Sequence, residues 1–324
     1  MPEGIAVQIR DLTKVIGSKT IVDGLSFDIP KGEVFGLLGP NGAGKTTTIR
    51  MMVGLISISR GQVLIDGIDV SKNFTAAMAH IGAIVENPEM YKFLSGYRNL
   101  KHYANMSQGV TKARIDEVVA QLGLTTRIHD KVKTYSLGMR QRLGLAQALL
   151  RRPDVIILDE PTNGLDPAGI RELRDYLRVL AEKEGIAVIV SSHLLSEMEL
   201  MCDRVAIIQA GKLVDIRSIR GGQVNHAEQR PTLIELAEVD RTRALEIVGA
   251  LHLPTSTPDG GATTTESFTA IATDTGIIVG TTREQVPDVV HALDSAGVRI
   301  YGVQVQNKSL EETFLEITGG ASVV

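Results

Sequence analysis

The chain has 324 residues, 43% hydrophobic and 22% charged, with 34 basic and 38 acidic side chains and a net charge of -4. That length accommodates two domains with separate cores, and the composition is that of a soluble globular protein. The small negative charge offers no electrostatic basis for non-specific nucleic-acid binding, so no nucleic-acid partner is expected. One cysteine, Cys202, excludes an internal disulfide framework; it fits a reducing compartment and a small buried apolar side chain. No apolar stretch approaches the roughly 20 residues that span a bilayer. The start, Met1-Pro2-Glu3-Gly4, lacks the basic and apolar regions of a signal peptide. The chain is therefore expected to stay in the cytoplasm, with any membrane role reached through a partner.

Up to about residue 220, short β-branched runs alternate with longer helical patterns. Val34 to Leu38, Val63 to Ile65, Ile81 to Val85, Val155 to Leu158, Ala187 to Val190 and Val205 to Gln209 read as buried strands, and Thr48 to Leu55 as a helix. This is an α/β pattern with a mostly parallel sheet. Between Pro88 and Arg152 helical periodicity replaces the strands, which predicts a helical insertion over about 88–152. Gly221-Gly222 and Arg230-Pro231 mark a linker, so a first domain over 1–220 and a second over 231–324 are expected. In the second, Val286, Val289, Val290 and Leu293 form one face of a helix, and Thr255 to Thr265 reads as a turn or flexible loop. Tyr301, Val303 and Val305 alternate with polar or small residues like a half-exposed strand. The order of elements predicts a small α+β domain of ferredoxin-like type.

The most informative segment is Gly39-Pro40-Asn41-Gly42-Ala43-Gly44-Lys45-Thr46-Thr47, which matches G-x-x-x-x-G-K-[ST] between an expected strand and helix. Glycines let backbone N–H groups turn inward around phosphates, and the helix start adds partial positive charge. Lys45 is expected to reach the β and γ phosphates and Thr46 to ligate magnesium. A nucleotide-binding P-loop NTPase follows, with kinase, GTPase and motor still open. Val155-Ile-Ile-Leu-Asp159-Glu160 ends an apolar strand in two acids. Asp159 suits magnesium, and Glu160 suits accepting a proton from the attacking water or polarising it. Ser136 has the position of a helix cap and Gly138 allows close backbone approach, as an anion site or as an ordinary capped helix. His193 follows a strand on the side where α/β sheets carry their sites, although a lone histidine is more often structural.

The order of phosphate loop, helical insertion, Ser-x-Gly helix start, Leu-Asp-Glu-Pro, Leu-Asp and Ser-His resembles the nucleotide-binding subunit of an ABC transporter over about the first 215 residues. The resemblance implies ATP and Mg²⁺ as ligands and a separate membrane-spanning permease as partner. It places the chain at the cytoplasmic face of the cell membrane. It further implies a second nucleotide-binding domain, most simply a homodimer. Each ATP would then lie between one chain's Lys45 loop and its partner's signature motif, here Ser136 to Met139. Asp166 would be the D-loop aspartate and His193 the switch histidine. Three features depart from the family pattern. Ile16 stands where an aromatic ring usually stacks on adenine. Tyr135-Ser136-Leu137-Gly138-Met139 replaces Leu-Ser-Gly-Gly-Gln. Glu86 replaces the glutamine that touches magnesium and water.

Glu-x-Pro-x-x-Tyr from Glu86, together with Tyr-Ser-Leu-Gly-Met, resembles the bacitracin-resistance and lantibiotic-immunity branch of exporters. The tail from Lys308 to Gly319, with Leu310, Phe314 and Ile317 at helical spacing, resembles drug- and peptide-export ATPases. The expected function is the ATP-hydrolysing subunit of an exporter of a drug, antibiotic or peptide. A soluble ABC ATPase that remodels a cytoplasmic or nucleic-acid partner and a nucleotide-gated sensor are the competing expectations. Tyr91, Leu94 and Tyr97 are expected either to contact the permease or to fill the core of the helical insertion.

Overall fold

The computed structural model describes residues 4–86, 88–107, 109–219, 230–255, 264–267, 270–282 and 284–305. They fall into two compact units, one before and one after residue 221.

The first unit begins with two long strands, β1 (Ile5–Ile16) and β2 (Lys19–Pro30), followed by β3 (Val34–Leu38) and α1 (Lys45–Met52). Next come β4 (Arg60–Ile65), β5 (Ile68–Asp69), α2 (Phe74–Ala79) and β6 (Ile81–Ile84). Then follow three helices, α3 (Gly96–Asn105), α4 (Lys112–Gln121) and α5 (Leu137–Leu149). The unit closes with β7 (Val155–Leu158), α6 (Pro167–Glu184), β8 (Ala187–Ser192), α7 (Leu195–Met201), β9 (Arg204–Gln209) and β10 (Lys212–Ser218).

The strands form two sheets. One has the order β10-β9-β3-β8-β7-β6 and is parallel except for β10; the other, β2-β1-β4-β5, is antiparallel. Every residue of β3, β7 and β8 is buried, as continuous apolar runs covered on both faces require. Phe35 and Leu37 face a core shared with Ile9, Leu25, Phe27, Ile49 and Met52, which joins the antiparallel sheet, α1 and one face of the parallel sheet. Phe27 and Phe35 stack across it with centroids 5.4 Å apart. On the other face Gly36 leaves room for Met198, whose Sδ would lie 2.6 Å from a Cβ at that position.

The parallel strands follow the apolar runs of the sequence closely. The antiparallel sheet departs from the mostly parallel pattern of the sequence, and it takes in β4, so Val63 to Ile65 is not a strand of the parallel sheet. The antiparallel strands are irregular: β1 and β2 shift register four times along their pairing, and Asp11 and Gly24 take φ of 47° and 67°. Those bulges break the simple alternation that announces a strand.

The helices between β6 and β7 have local starting signals. Ser95, Thr111 and Ser136 cap α3, α4 and α5 by accepting from the N–H three residues on, at 3.2, 3.3 and 3.2 Å. Asn99, fully buried, accepts from Tyr91 N–H at 2.9 Å and donates to the carbonyls of Tyr91 and Ser95 at 3.1 and 3.0 Å. It thereby fixes the loop that enters the helices. Arg114 donates to the Leu149 carbonyl at 2.7 Å and ties α4 to the end of α5.

The second unit comprises β11 (Arg230–Leu236), α8 (Arg241–Ala250), β12 (His252–Thr255), β13 (Thr264–Ser267), β14 (Ala270–Ala272), β15 (Gly276–Thr281), α9 (Val286–Ser295) and β16 (Ile300–Val305). An antiparallel sheet of order β14-β15-β11-β16 packs Ile234, Leu236, Ile277 and Val279 against Ala244 and Val248 of α8 and Val289 and Leu293 of α9. β12 and β13 form a separate hairpin on either side of the expected loop. Tyr301, Val303 and Val305 are all exposed, because β16 is an edge strand of the sheet. The tail from Lys308 lies outside the described residues.

Candidate functional site

Residues 39–44 link the C-terminal end of β3 to α1, whose first residues are Lys45, Thr46 and Thr47, so the strand–loop–helix arrangement is present. Gly42 and Gly44 take φ of 81° and 106°, which only glycine adopts freely. A Cβ on Gly39 would lie 2.2 Å from the Ile208 carbonyl oxygen, so the loop is seated against β9. By helix geometry the first-turn N–H groups of Lys45, Thr46 and Thr47 have no carbonyl four residues back to receive them. They face the need for an acceptor with the positive end of the helix behind them.

A cleft of about 490 Å³ is lined by Ile21, the loop from Asn41 to Thr47, Glu160, Asn163 and His193. Lys45 is only 5% exposed; its Nζ donates to the carbonyls of Gly39 at 2.7 Å and Pro40 at 3.3 Å, and lies 3.6 Å from Glu160 Oε1. Burial pushes the Lys45 ammonium below its ordinary value, while the Glu160 and Asp159 carboxylates pull it back up.

The acids come from the end of β7, which lies beside β8 with Leu158 opposite Val190. This register sets Asp159 and Glu160 next to Ser191. The Ser191 hydroxyl donates to Asp159 Oδ1 at 2.6 Å and accepts from the Glu160 N–H at 2.9 Å. Glu160 has φ of 48°, an uncommon conformation that turns its side chain from the strand into the cleft. Its Oε2 lies 2.8 Å from His193 Nδ1. One carboxylate thus sits between a buried ammonium and an imidazole, placed to take or share a proton at the cleft. Thr46 and Asp159 supply hard oxygen donors, the kind that Mg²⁺ takes.

Other expected residues lie elsewhere. Ser136 and Met139 form the capped start of α5, and Asp166 caps α6 by accepting from Gly169 N–H at 2.7 Å. Gly138 packs near Leu165, so the start of α5 and the turn before α6 adjoin one another outside the cleft lining. Ile16 sits at the end of β1, 56% exposed and also outside that lining, where Ile21 of β2 stands instead. Glu86, with φ of 68°, makes an ion pair with Arg50 of α1. Ser191, Arg50 and Asn163 were not anticipated as site residues. Ser191 was detectable in principle, since it stands two residues before His193 at a strand end.

At the opposite, N-terminal end of the parallel strands, Asp66, His80 and Asp154 approach one another closely. Lys31 pairs with Asp66 there at 2.9 Å and supplies the local cation.

The family model for ABC transporters matches residues 22–163. The ABC transporter ATP-binding protein YhcH of Bacillus subtilis (strain 168) is 54% identical over 313 residues, 97% of this chain and 96% of that protein. The bacitracin transport ATP-binding protein BcrA of Bacillus licheniformis is 46% identical over 209 residues, 64% of this chain and 68% of that one. A solved structure described as the ATP binding subunit of an ABC transporter superposes with a TM-score of 0.60 at 26% identity, covering 67% of this chain and 95% of that one. The chain belongs to the ABC transporter ATP-binding proteins and is a nucleotide-binding ATP hydrolase of that family.

Proposed function

We propose that the chain powers export of a drug, antibiotic or peptide through a separate membrane-spanning permease, as one half of a homodimer at the cytoplasmic face of the membrane. The observation that carries the hydrolytic part is the position of Glu160 between Lys45 and His193 at the mouth of the phosphate loop. On this reading the backbone of residues 39–44, with Lys45, Thr46 and Thr47, holds the triphosphate. Thr46 and Asp159 hold Mg²⁺, with Glu86 close to the metal. Glu160 takes the proton of the attacking water and His193 contacts the γ-phosphate. Ser136, Gly138, Met139 and Asp166, gathered at the starts of α5 and α6, meet the ATP of the second copy. Their place outside this chain's own cleft lining supports that assignment, with Ser136 and Asp166 exposed and Gly138 and Met139 half-buried. Ile16 would lie beside the adenine without stacking on it.

No helix among the described residues is long and apolar enough to cross a membrane. The permease contact is assigned to the loop that Asn99 clamps. Tyr91 and Phe93 are 44% and 69% exposed there, with Tyr91 packed edge-on to Phe93 and His102. Tyr97 lies beside His129 with ring centroids 5.4 Å apart. The similarity to a bacitracin transport protein favours an antibiotic among the cargo classes. The strand order β16-β11-β15-β14, with α8 after the first strand and α9 after the third, supports a ferredoxin-like accessory domain.

The test is ATP hydrolysis by the chain purified with and without the membrane protein encoded beside it, with Glu160→Gln as control. Hydrolysis that needs Glu160 and changes in rate with the permease supports the proposal. Hydrolysis indifferent to any such protein overturns the transport reading and favours a soluble remodelling ATPase.

A further inference from the structure

We infer that Arg50 is a positioning residue for Glu86, and that this ion pair sets the magnesium requirement of the nucleotide site. The inference rests on the proposed placement of Glu86 near the metal.

The geometry begins with α1. Arg50 follows Thr46 by four residues, so it lies on the same helix face one turn further along. Its guanidinium holds the carboxylate of Glu86. Glu86 stands two residues beyond β6, whose last residue, Ile84, accepts a hydrogen bond from the Asp159 N–H at 2.9 Å. The loop after β6 therefore runs beside the end of β7, and Arg50 fastens its carboxylate to the helix that carries Thr46. Glu86 pays backbone strain to be there, with φ of 68° at a non-glycine residue.

Charge gives the pair its consequence. Asp159, Glu160 and Glu86 all come from the C-terminal ends of neighbouring strands, where a triphosphate adds further negative charge. Asp159 is bonded to Ser191, and Glu160 lies between Lys45 and His193. Glu86 has Arg50. The Arg50 and Glu86 side chains are 41% and 62% exposed, so their pair is solvated and weak enough to exchange. With Arg50 present, Glu86 adds little net charge to the site and competes weakly for the metal. Without it, the freed carboxylate would draw Mg²⁺ and repel a metal-free nucleotide.

The test is a mutant cycle of Arg50→Met, Glu86→Gln and the double variant, with Arg50→Lys as the conservative rescue. Two quantities are read in each: the Mg²⁺ concentration giving half-maximal ATP hydrolysis, and the affinity for a fluorescent ATP analogue in EDTA. Arg50→Met is expected to lower the half-saturating Mg²⁺ by about two- to fivefold, and to weaken metal-free nucleotide binding by a similar factor. Glu86→Gln should shift both quantities the other way, and Arg50→Lys should stay near wild type. The effect of Arg50→Met should shrink in the Glu86→Gln background, where only the charge of Arg50 itself is lost. Unchanged values in Arg50→Met overturn the inference, and so does an effect of undiminished size without Glu86. If Glu86→Gln itself leaves the magnesium curve and the metal-free affinity unmoved, the placement of Glu86 near the metal fails, and the inference with it.

Discussion

Oε2 of Glu160 lies 2.8 Å from Nδ1 of His193, and its other oxygen lies 3.6 Å from the buried Lys45 ammonium. A single carboxylate therefore bridges the end of β8 and the phosphate loop. Glu160→Gln keeps the shape but cannot accept a proton, so hydrolysis should fall by about 10²–10⁴-fold. ATP affinity should be kept or improved, because a negative charge facing the triphosphate is removed. Steady-state hydrolysis with equilibrium nucleotide binding separates the two effects; parallel loss of both would point to misfolding instead.

Ser191 joins the two acids by donating to Asp159 and accepting from the Glu160 N–H. In Ser191→Ala the Glu160 N–H loses its partner, at a cost of about 1–3 kcal/mol. Denaturant unfolding should register that loss, and hydrolysis should fall more than ATP affinity. Full activity with wild-type stability would show that the bridge holds neither acid.

Gly39→Ala places a methyl group 2.2 Å from the Ile208 carbonyl oxygen, and backbone cannot step aside as a flexible side chain would. The loop must lift from β9, with a stability loss of about 1–3 kcal/mol. Nucleotide affinity should drop as the loop N–H groups turn away. An unchanged melting temperature together with normal ATP binding would contradict this packing.

Burial holds the Lys45 ammonium below its ordinary pKa of 10.5. Between that lowered value and 10.5 the unfolded chain binds the extra proton, so this group makes stability rise with pH across an alkaline window. Below the window its destabilising contribution is constant. Lys45→Met lacks the group, so the melting temperature of the wild type should gain on that of the variant as pH rises towards 10.5. A difference that stays flat from about pH 7 to about pH 10 would show that the ammonium is not buried as described.

Sequence alone determined the parts whose physics is contiguous. The phosphate loop needs glycines, a lysine and a threonine in one strand–loop–helix run. That run is legible from Val34 to Met52, as are the buried strands 155–158 and 187–190 and the capped start of α5 at Ser136. The ABC family was likewise legible from the order of these short motifs. Tertiary structure decided what meets across the chain. Ser191 joins the acids because β7 and β8 are neighbours in a strand order that departs from chain order. Glu86 finds Arg50 because the end of β6 passes α1, a contact that no periodicity encodes. Ile16 projects into solvent while Ile21 lines the cleft, since bulges shift the β1–β2 register away from simple alternation. Local motifs specify the kind of chemistry because their donors are adjacent along the chain. Strand order, register and helix packing choose the remaining partners, because those residues become neighbours only when distant segments are buried together.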